Sequence, residues 1–209
     1  MTAIYHITHI RNLPNILKDD RLWCDVESVK RNLQPIEIAY TEIKERRMRR
    51  KINIPPGGVL AEYVPFYFCN RSPMLYTIHM GNVPAYRDGQ ANILHLVSSA
   101  EAVSQANLPF VFSDGHAVVQ ISLFYNDLQR LNEVDWKVVN SWSWHDTLTD
   151  NDRLRRKQAE FLVKGFFPFS LVQEIGVINQ AMREQTLALL ENTKHKPIVS
   201  IQRKWYYDE

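Results

Sequence analysis

Apolar positions along this chain fall in short runs separated by polar turns, and few of them hold a helical period for long. Ile4-Tyr-His-Ile-Thr8, Arg21-Leu-Trp-Cys24, Tyr63-Val-Pro-Phe-Tyr-Phe68 and Asn92-Ile-Leu-His-Leu-Val97 are dense in β-branched and aromatic residues and predict strands. Phe110–Phe112, Val118–Leu123, Glu160–Val163, Glu174–Ile178 and Ile198–Ile201 read the same way, with Lys204–Tyr207 closing the sheet. Pro65 predicts an edge position or a bulge, because proline donates nothing to a ladder. Asn12, Pro14 and the stripe Leu13, Ile16, Leu17 predict a capped helix that Asp19-Asp20 ends. Ser98 or Ser99 caps a helix running to Gln105. Asn179 caps another, with Met182, Leu187 and Leu190 on its apolar face.

Two stretches break this rhythm. Residues 26–57 carry many charges and little strand alternation, hold a helix over Thr41–Arg50 capped by Thr41, and end in the breaker Asn53-Ile-Pro-Pro-Gly-Gly58. Leu128–Asp152 is polar and bears Trp136, Trp142 and Trp144. Segments of this length without a period of their own are more often functional than idle, so the first reads as a lid or binding loop. With no repeat and no linker, the rest reads as one mixed α/β domain.

Composition changes this picture little. The chain has 209 residues, 45% of them hydrophobic, and a net charge of +2. That suffices for a sizeable core and does not by itself demand a nucleic-acid partner. Cys24 and Cys69 are far apart, and the seven histidines show no metal-ligand spacing, so neither a disulfide framework nor a metal site is expected. No signal-peptide pattern opens the chain, and no apolar run approaches the ~20 residues of a membrane span, which together predict a soluble cytoplasmic protein without a membrane partner.

The cations are concentrated in Lys44-Glu-Arg-Arg-Met-Arg-Arg-Lys51 and in Arg153-Leu-Arg-Arg-Lys157. The second run leads into Gln158-Ala-Glu160, which opens an apolar strand. The plain reading is a solvated basic turn in which Glu160 neutralises its neighbours. The alternative puts Glu160 at the mouth of a strand, facing a cleft, with Gln158 two residues earlier pointing the same way.

A resemblance favours the alternative. Tyr5-His-Ile-Thr8, followed by Asn12-Leu13 and Ile16-Leu17, is similar to the first strand and helix of ADP-ribosyltransferases. Tyr63-Val-Pro-Phe-Tyr-Phe-Cys-Asn-Arg-Ser-Pro-Met74 looks like the middle block of one branch, the DNA-modifying toxin family DarT. Gln158-Ala-Glu-Phe-Leu162 resembles its third block, where the catalytic glutamate sits. The resemblance implies an α+β fold: a split, mostly antiparallel β-sandwich with flanking helices, an NAD-covering loop at about 30–56 and a substrate-recognition loop at about 119–158. It implies NAD as co-substrate without a metal, transfer of ADP-ribose to a thymine base in single-stranded DNA with release of nicotinamide, and pairing with a macrodomain antitoxin of the DarG kind. Transfer to RNA or protein, or a non-enzymatic domain that binds single-stranded nucleic acid, are the other readings these residues permit.

Roles follow by position in the resembling blocks. Glu160 would be catalytic, since a carboxylate at the ribose stabilises the charge that builds as the glycosidic bond breaks. The family uses an arginine near the end of the first loop; Lys51 stands at about that place, so Lys51 or Arg50 would be the second catalytic group. His6, Ile7 and Thr8 would hold nicotinamide or ribose, Asn15 and Trp23 the adenosine or ribose, and Arg46 the pyrophosphate. Tyr67 and Phe68 would stack on nicotinamide. Arg49, Arg71, Ser72, Met74, Trp144, Arg153, Arg155, Arg156 and Gln158 would contact DNA, the arginines through phosphates and Trp144 through base stacking.

Overall fold

A computed structural model describes residues 1–208. Ten strands and eight α-helices alternate irregularly along the chain. The strands are β1 (Ala3–His9), β2 (Arg21–Trp23), β3 (Tyr63–Tyr67), β4 (Ile93–Ser99), β5 (Phe110–His116), β6 (Phe124–Tyr125), β7 (Ala159–Lys164), β8 (Phe166–Pro168), β9 (Glu174–Val177) and β10 (Ile198–Ile201). The helices are α1 (Leu13–Asp19), α2 (Asp25–Lys30), α3 (Thr41–Arg49), α4 (Pro73–His79), α5 (Ala100–Gln105), α6 (Trp136–Val139), α7 (Arg153–Lys157) and α8 (Gln180–Leu190).

Eight strands form one sheet in the order β10-β9-β4-β1-β3-β7-β5-β6, antiparallel except for β10 beside β9. The sheet is nearly cut in two at its middle. β1 pairs with β4 from Ala3 opposite Ser99 to His9 opposite Ile93, and β3 pairs with β7 over its whole length. Between β1 and β3 the ladder comes down to Tyr5 opposite Tyr67. β2 and β8 make a separate small antiparallel pair. The main core lies on one face, where Ile4, Phe66, Phe112, Phe161 and Phe167 are buried together.

Pro65 therefore sits in a central strand, not at an edge. Its carbonyl accepts from His6 Nδ1 at 2.8 Å. In an extended residue the N–H and C=O point to the same side, so the missing donor lies on the β1 side, where the ladder has already opened and no bond is lost. The proline and the split occupy the same place.

Other expectations shift in register or type. Thr41 begins α3, but Tyr40 is its cap. Asn12 precedes α1 without capping it: its amide donates to Thr8 Oγ1 and to the Ile36 carbonyl, and its oxygen accepts from Ile36 N at 2.7 Å. Val118–Leu123 is a turn, because β5 continues to His116 and the carbonyls of Ala117, Gln120 and Ser122 are taken by Arg50. Lys204–Tyr207 forms a short 3-10 turn in place of a strand. Ser99 and Asn179 cap α5 and α8 as expected.

Candidate active site

Where β1 and β3 part, a cavity of about 520 Å³ opens between the sheet halves. His6, Ile7 and Thr8 of β1, Tyr67 of β3 and Glu160 of β7 line it, and residues 33–40 run along its other side. That segment is held by Asn12 through both backbone bonds of Ile36. Asn12→Ala is expected to free it, raising the apparent KM for NAD several-fold and increasing amide exchange at Ile36; unchanged exchange there would show that the segment is held by other contacts.

Glu160 lies in the wall of this cavity, 3% exposed. Its neighbour Phe161 points into the core, as strand alternation requires. Every acceptor direction of the carboxylate is engaged. Oε2 accepts from Arg47 Nη1 at 2.8 Å, and Oε1 accepts from the Ala117 N–H at 3.1 Å and faces His116 Nδ1 at 3.3 Å. Burial alone would push the carboxyl up, but the Arg47 charge and His116 outweigh it and hold it at about 2. Glu160 is therefore a fixed anion at any working pH and a poor proton acceptor.

Arg47 is as buried as its partner. Burial opposes its charge, and Glu160 more than restores it. Its Nη2 is buried with no protein acceptor, so the guanidinium keeps donors for an oxygen that the protein itself does not supply. His6 gives its Nδ1 to the Pro65 carbonyl, which can only accept, so Nε2 of the neutral ring is left as an acceptor. Burial keeps that ring below its ordinary titration range. Tyr67 stands opposite Glu160 in the β3–β7 register, and burial followed by the Glu160 charge raises its hydroxyl.

The helix period decides which cation of the first basic run reaches the carboxylate. Residue 47 lies four after Ile43, on the face of α3 that turns inward, and both line the cavity. Arg46 and Arg49 lie on the outer face; both are exposed, and Arg49 pairs with Glu45. Arg50 points away from the cavity and binds the 117–122 turn, with Nη1 on Gln120 Oε1 and Nε and Nη2 on three carbonyls. Lys51 is exposed, forms a backbone bridge with Val59 and does not line the cavity. Neither expected second catalytic residue is near the carboxylate. Arg50 acts on it indirectly, by folding the turn that presents the Ala117 N–H. Arg50→Ala is expected to cost about 2–4 kcal/mol of stability by stripping buried carbonyls of their donors, while Arg46→Ala and Arg49→Ala stay within about 0.5 kcal/mol in thermal unfolding.

The remaining predicted residues divide the same way. Asn15, Trp23, Met74, Trp144 and Gln158 line the cavity with β1 and β3. Trp23 is fixed by Asp19 at 2.8 Å and has the Arg31 guanidinium 3.7 Å from its ring centre. Phe68 instead points into the core, edge-on to Phe112, Trp136 and Phe161, because it is one residue out of phase with Tyr67. Ser72 is fully buried and caps α4 by accepting from Leu75 N, so it has no free hydroxyl for DNA. The second basic run is helix α7, and acidic side chains or carbonyls occupy its arginines. Arg155 is held by Asp152 and Asp114, Arg156 by Asp135, Asp150 and Asp152, and Arg153 by the carbonyls of Ser143 and His145. They order the segment ahead of Glu160 and are not free for phosphates. Arg71 lies outside the cavity, over the rings of Trp142 and Tyr207.

Sequence reasoning passed over Arg47 and His116. The i, i+4 spacing from Ile43 marked Arg47, but His116 carried no signal; only the bend of β5 brings it to Glu160.

Residues 5–207 match the family described as "ssDNA thymidine ADP-ribosyltransferase, DarT". The chain belongs to the DarT family. It is 47% identical over 209 residues to a DNA ADP-ribosyl transferase of Thermus sp. (strain 2.9), covering 99% of this chain and 96% of that one. Two solved structures of Thermus sp. 2.9 DarT superpose closely. The complex with ADP-ribosylated ssDNA has a TM-score of 0.91 at 45% identity, covering 99% of this chain and 96% of that one. The complex with NAD+ has a TM-score of 0.87 at 42% identity, covering 99% and 98%. The split sheet with its flanking helices is thus the DarT ADP-ribosyltransferase fold, and Glu160 holds the position expected of the DarT glutamate.

Proposed function

We propose that this chain transfers ADP-ribose from NAD to a thymine base in single-stranded DNA and releases nicotinamide. The observation that carries the reading is the buried Arg47–Glu160–His116 cluster, set in the cavity where the sheet parts, in a chain of the DarT family. NAD supplies the ADP-ribose and a leaving group, and positive charge builds on its ribose as the nicotinamide bond breaks. The cavity suits it: the unpartnered Nη2 of Arg47 wants an anionic or ribose oxygen, and neutral His6 offers an acceptor to an amide. Tyr67, Asn15 and Trp23 line the same space. Glu160, a permanent anion held by three donors, stabilises charge at the ribose without reorganising. His116 lies against Glu160 and lines the cavity, and in this reading it accepts the proton that the thymine ring nitrogen loses.

Residues 1–209 act as one ADP-ribosyltransferase domain in this reading. The loop at about 30–56 covers NAD, which the lining role of residues 33–40 supports. The segment at about 119–158 recognises the strand, with Trp144 and Gln158 in the cavity wall. A base edge must be unstacked to react, which favours single strands. The DarT resemblance also supports a toxin acting in the cytoplasm and restrained by a macrodomain antitoxin. No helix among the described residues is long and apolar enough to cross a membrane.

Mass spectrometry of short oligonucleotides incubated with the protein and NAD tests the reading. An ADP-ribose mass increment is expected on thymine-containing single strands and not on thymine-free strands, duplex DNA or RNA. An increment on thymine-free strands or RNA would replace the acceptor, and intact NAD with no increment on any strand would overturn the enzyme.

A further inference from the structure

A second cavity, of about 320 Å³, lies beside the first, and Trp144 lines both. Its chemistry is different. Arg71, Lys157 and Lys204 face it, and no acidic side chain lines it. This is the reverse of α7, whose Arg155 and Arg156 are held by aspartates. The Arg71 guanidinium lies 4.2 Å from the Trp142 ring centre and 4.3 Å from that of Tyr207. Contacts through the guanidinium's faces leave its in-plane N–H donors open to an anion. Lys157 is 3% exposed, and its ammonium donates to the carbonyls of Val139 and Ser141 at 2.7 and 2.9 Å. A buried cation satisfied only by carbonyls keeps an uncompensated charge, so the floor of the cavity is set up for a negative group. Trp142 covers Arg71 yet is 72% exposed, leaving most of a large apolar ring in water beside these cations. Cations that can take a phosphate, next to an aromatic face that can take a base, are the two parts of a single-strand binding site.

We infer that this second cavity holds the nucleotide next to the acceptor thymine, with the linking phosphate against Arg71 and Lys204 and the neighbouring base stacked on Trp142. The inference rests on the reading of the first cavity as the site of DNA ADP-ribosylation. Trp144 forms the wall between acceptor and neighbour, so both nucleotides are held apart from stacking on each other. The DNA-binding charge of this protein comes from these cations and not from the arginine run of α7.

The test crosses protein variants with substrate truncation. Apparent KM is measured for a thymine strand with neighbours on both sides, for one lacking the 5′ neighbour and for one lacking the 3′ neighbour. With wild-type protein, removing the neighbour on one side is expected to raise KM by about 5- to 150-fold, the worth of one stacked base. Trp142→Ala should raise KM for the full strand by a similar factor and make that same truncation nearly without effect. Lys204→Glu is an independent arm: it should raise KM for the full strand and flatten its dependence on salt by about one phosphate contact. Both side chains are solvent-facing, and thermal unfolding checks that the variants fold. An equal truncation penalty in wild type and Trp142→Ala, with an unchanged salt slope in Lys204→Glu, would overturn the subsite. A wild-type protein that labels no strand would overturn the DNA-transfer reading and the subsite with it.

Discussion

Glu160→Gln is expected to lower the rate of ADP-ribose transfer by about 10²- to 10³-fold or more, with thymine-strand labelling under single-turnover conditions as the measurement. The amide matches the carboxylate in size, so the loss reports charge and not packing. Fixed charge aimed at a developing positive centre is worth this much in a dry site, because no solvent has to reorganise. The same change should destabilise the protein. Arg47 would be left as a buried cation without its partner, which costs about 3–5 kcal/mol. For a chain of this size that lowers the melting temperature by roughly 10 °C. Undiminished transfer by a folded Glu160→Gln protein would remove Glu160 from the reaction.

Arg47→Ala is the mirror of that experiment. It leaves Glu160 buried with the Ala117 N–H and His116 as its remaining partners. The expected loss of stability is again about 3–5 kcal/mol, and the apparent KM for NAD rises because the free donors of Nη2 disappear with the side chain. The double variant Arg47→Ala, Glu160→Ala should be more stable than the sum of the single changes predicts, since neither charge is then stranded. Additive losses in denaturant unfolding would show that the two groups do not depend on each other.

The pair also fixes how the protein responds to acid. Glu160 titrates at about 2 when folded against an ordinary 4.5, so the folded state favours the ionised form. Its contribution is full above pH 4.5 and is lost as pH falls through the folded value, with a size of about 3 kcal/mol by linkage. Wild-type activity should therefore show no acid limb from Glu160 near neutral pH. In Arg47→Ala, burial is no longer opposed by the guanidinium, the carboxyl rises, and any residual activity should gain an acid limb. Identical pH profiles for the two proteins would mean that Arg47 does not hold the carboxylate ionised.

Much of this was legible along the chain. The strands were, because β-branched and aromatic runs mark them whatever their partners, and β1, β3, β4, β7 and β9 lie close to where alternation put them. Glu160 was legible from Gln158-Ala-Glu-Phe-Leu162, and so was the family, because three motif blocks stand in order. His6, Thr8 and Tyr67 followed from strand periodicity alone, which assigns a face but needs no knowledge of the neighbour. What the sequence could not decide was which member of a charge run does what. Lys44–Lys51 offers several cations within reach of one place, and only the docking of α3 against the sheet turns Arg47 to Glu160, Arg50 to the 117–122 turn and Lys51 to solvent. Likewise Arg155 and Arg156 read as phosphate ligands until the fold brought Asp114, Asp135 and Asp150 to them. A run of like charge has no partner in its own sequence, so its role depends on long-range approach. Residue type and local period determined the strands, the glutamate and the chemistry they permit. Tertiary packing alone decided which guanidinium completes the site and which cations remain open for DNA, because Coulomb partners are chosen by distance in space.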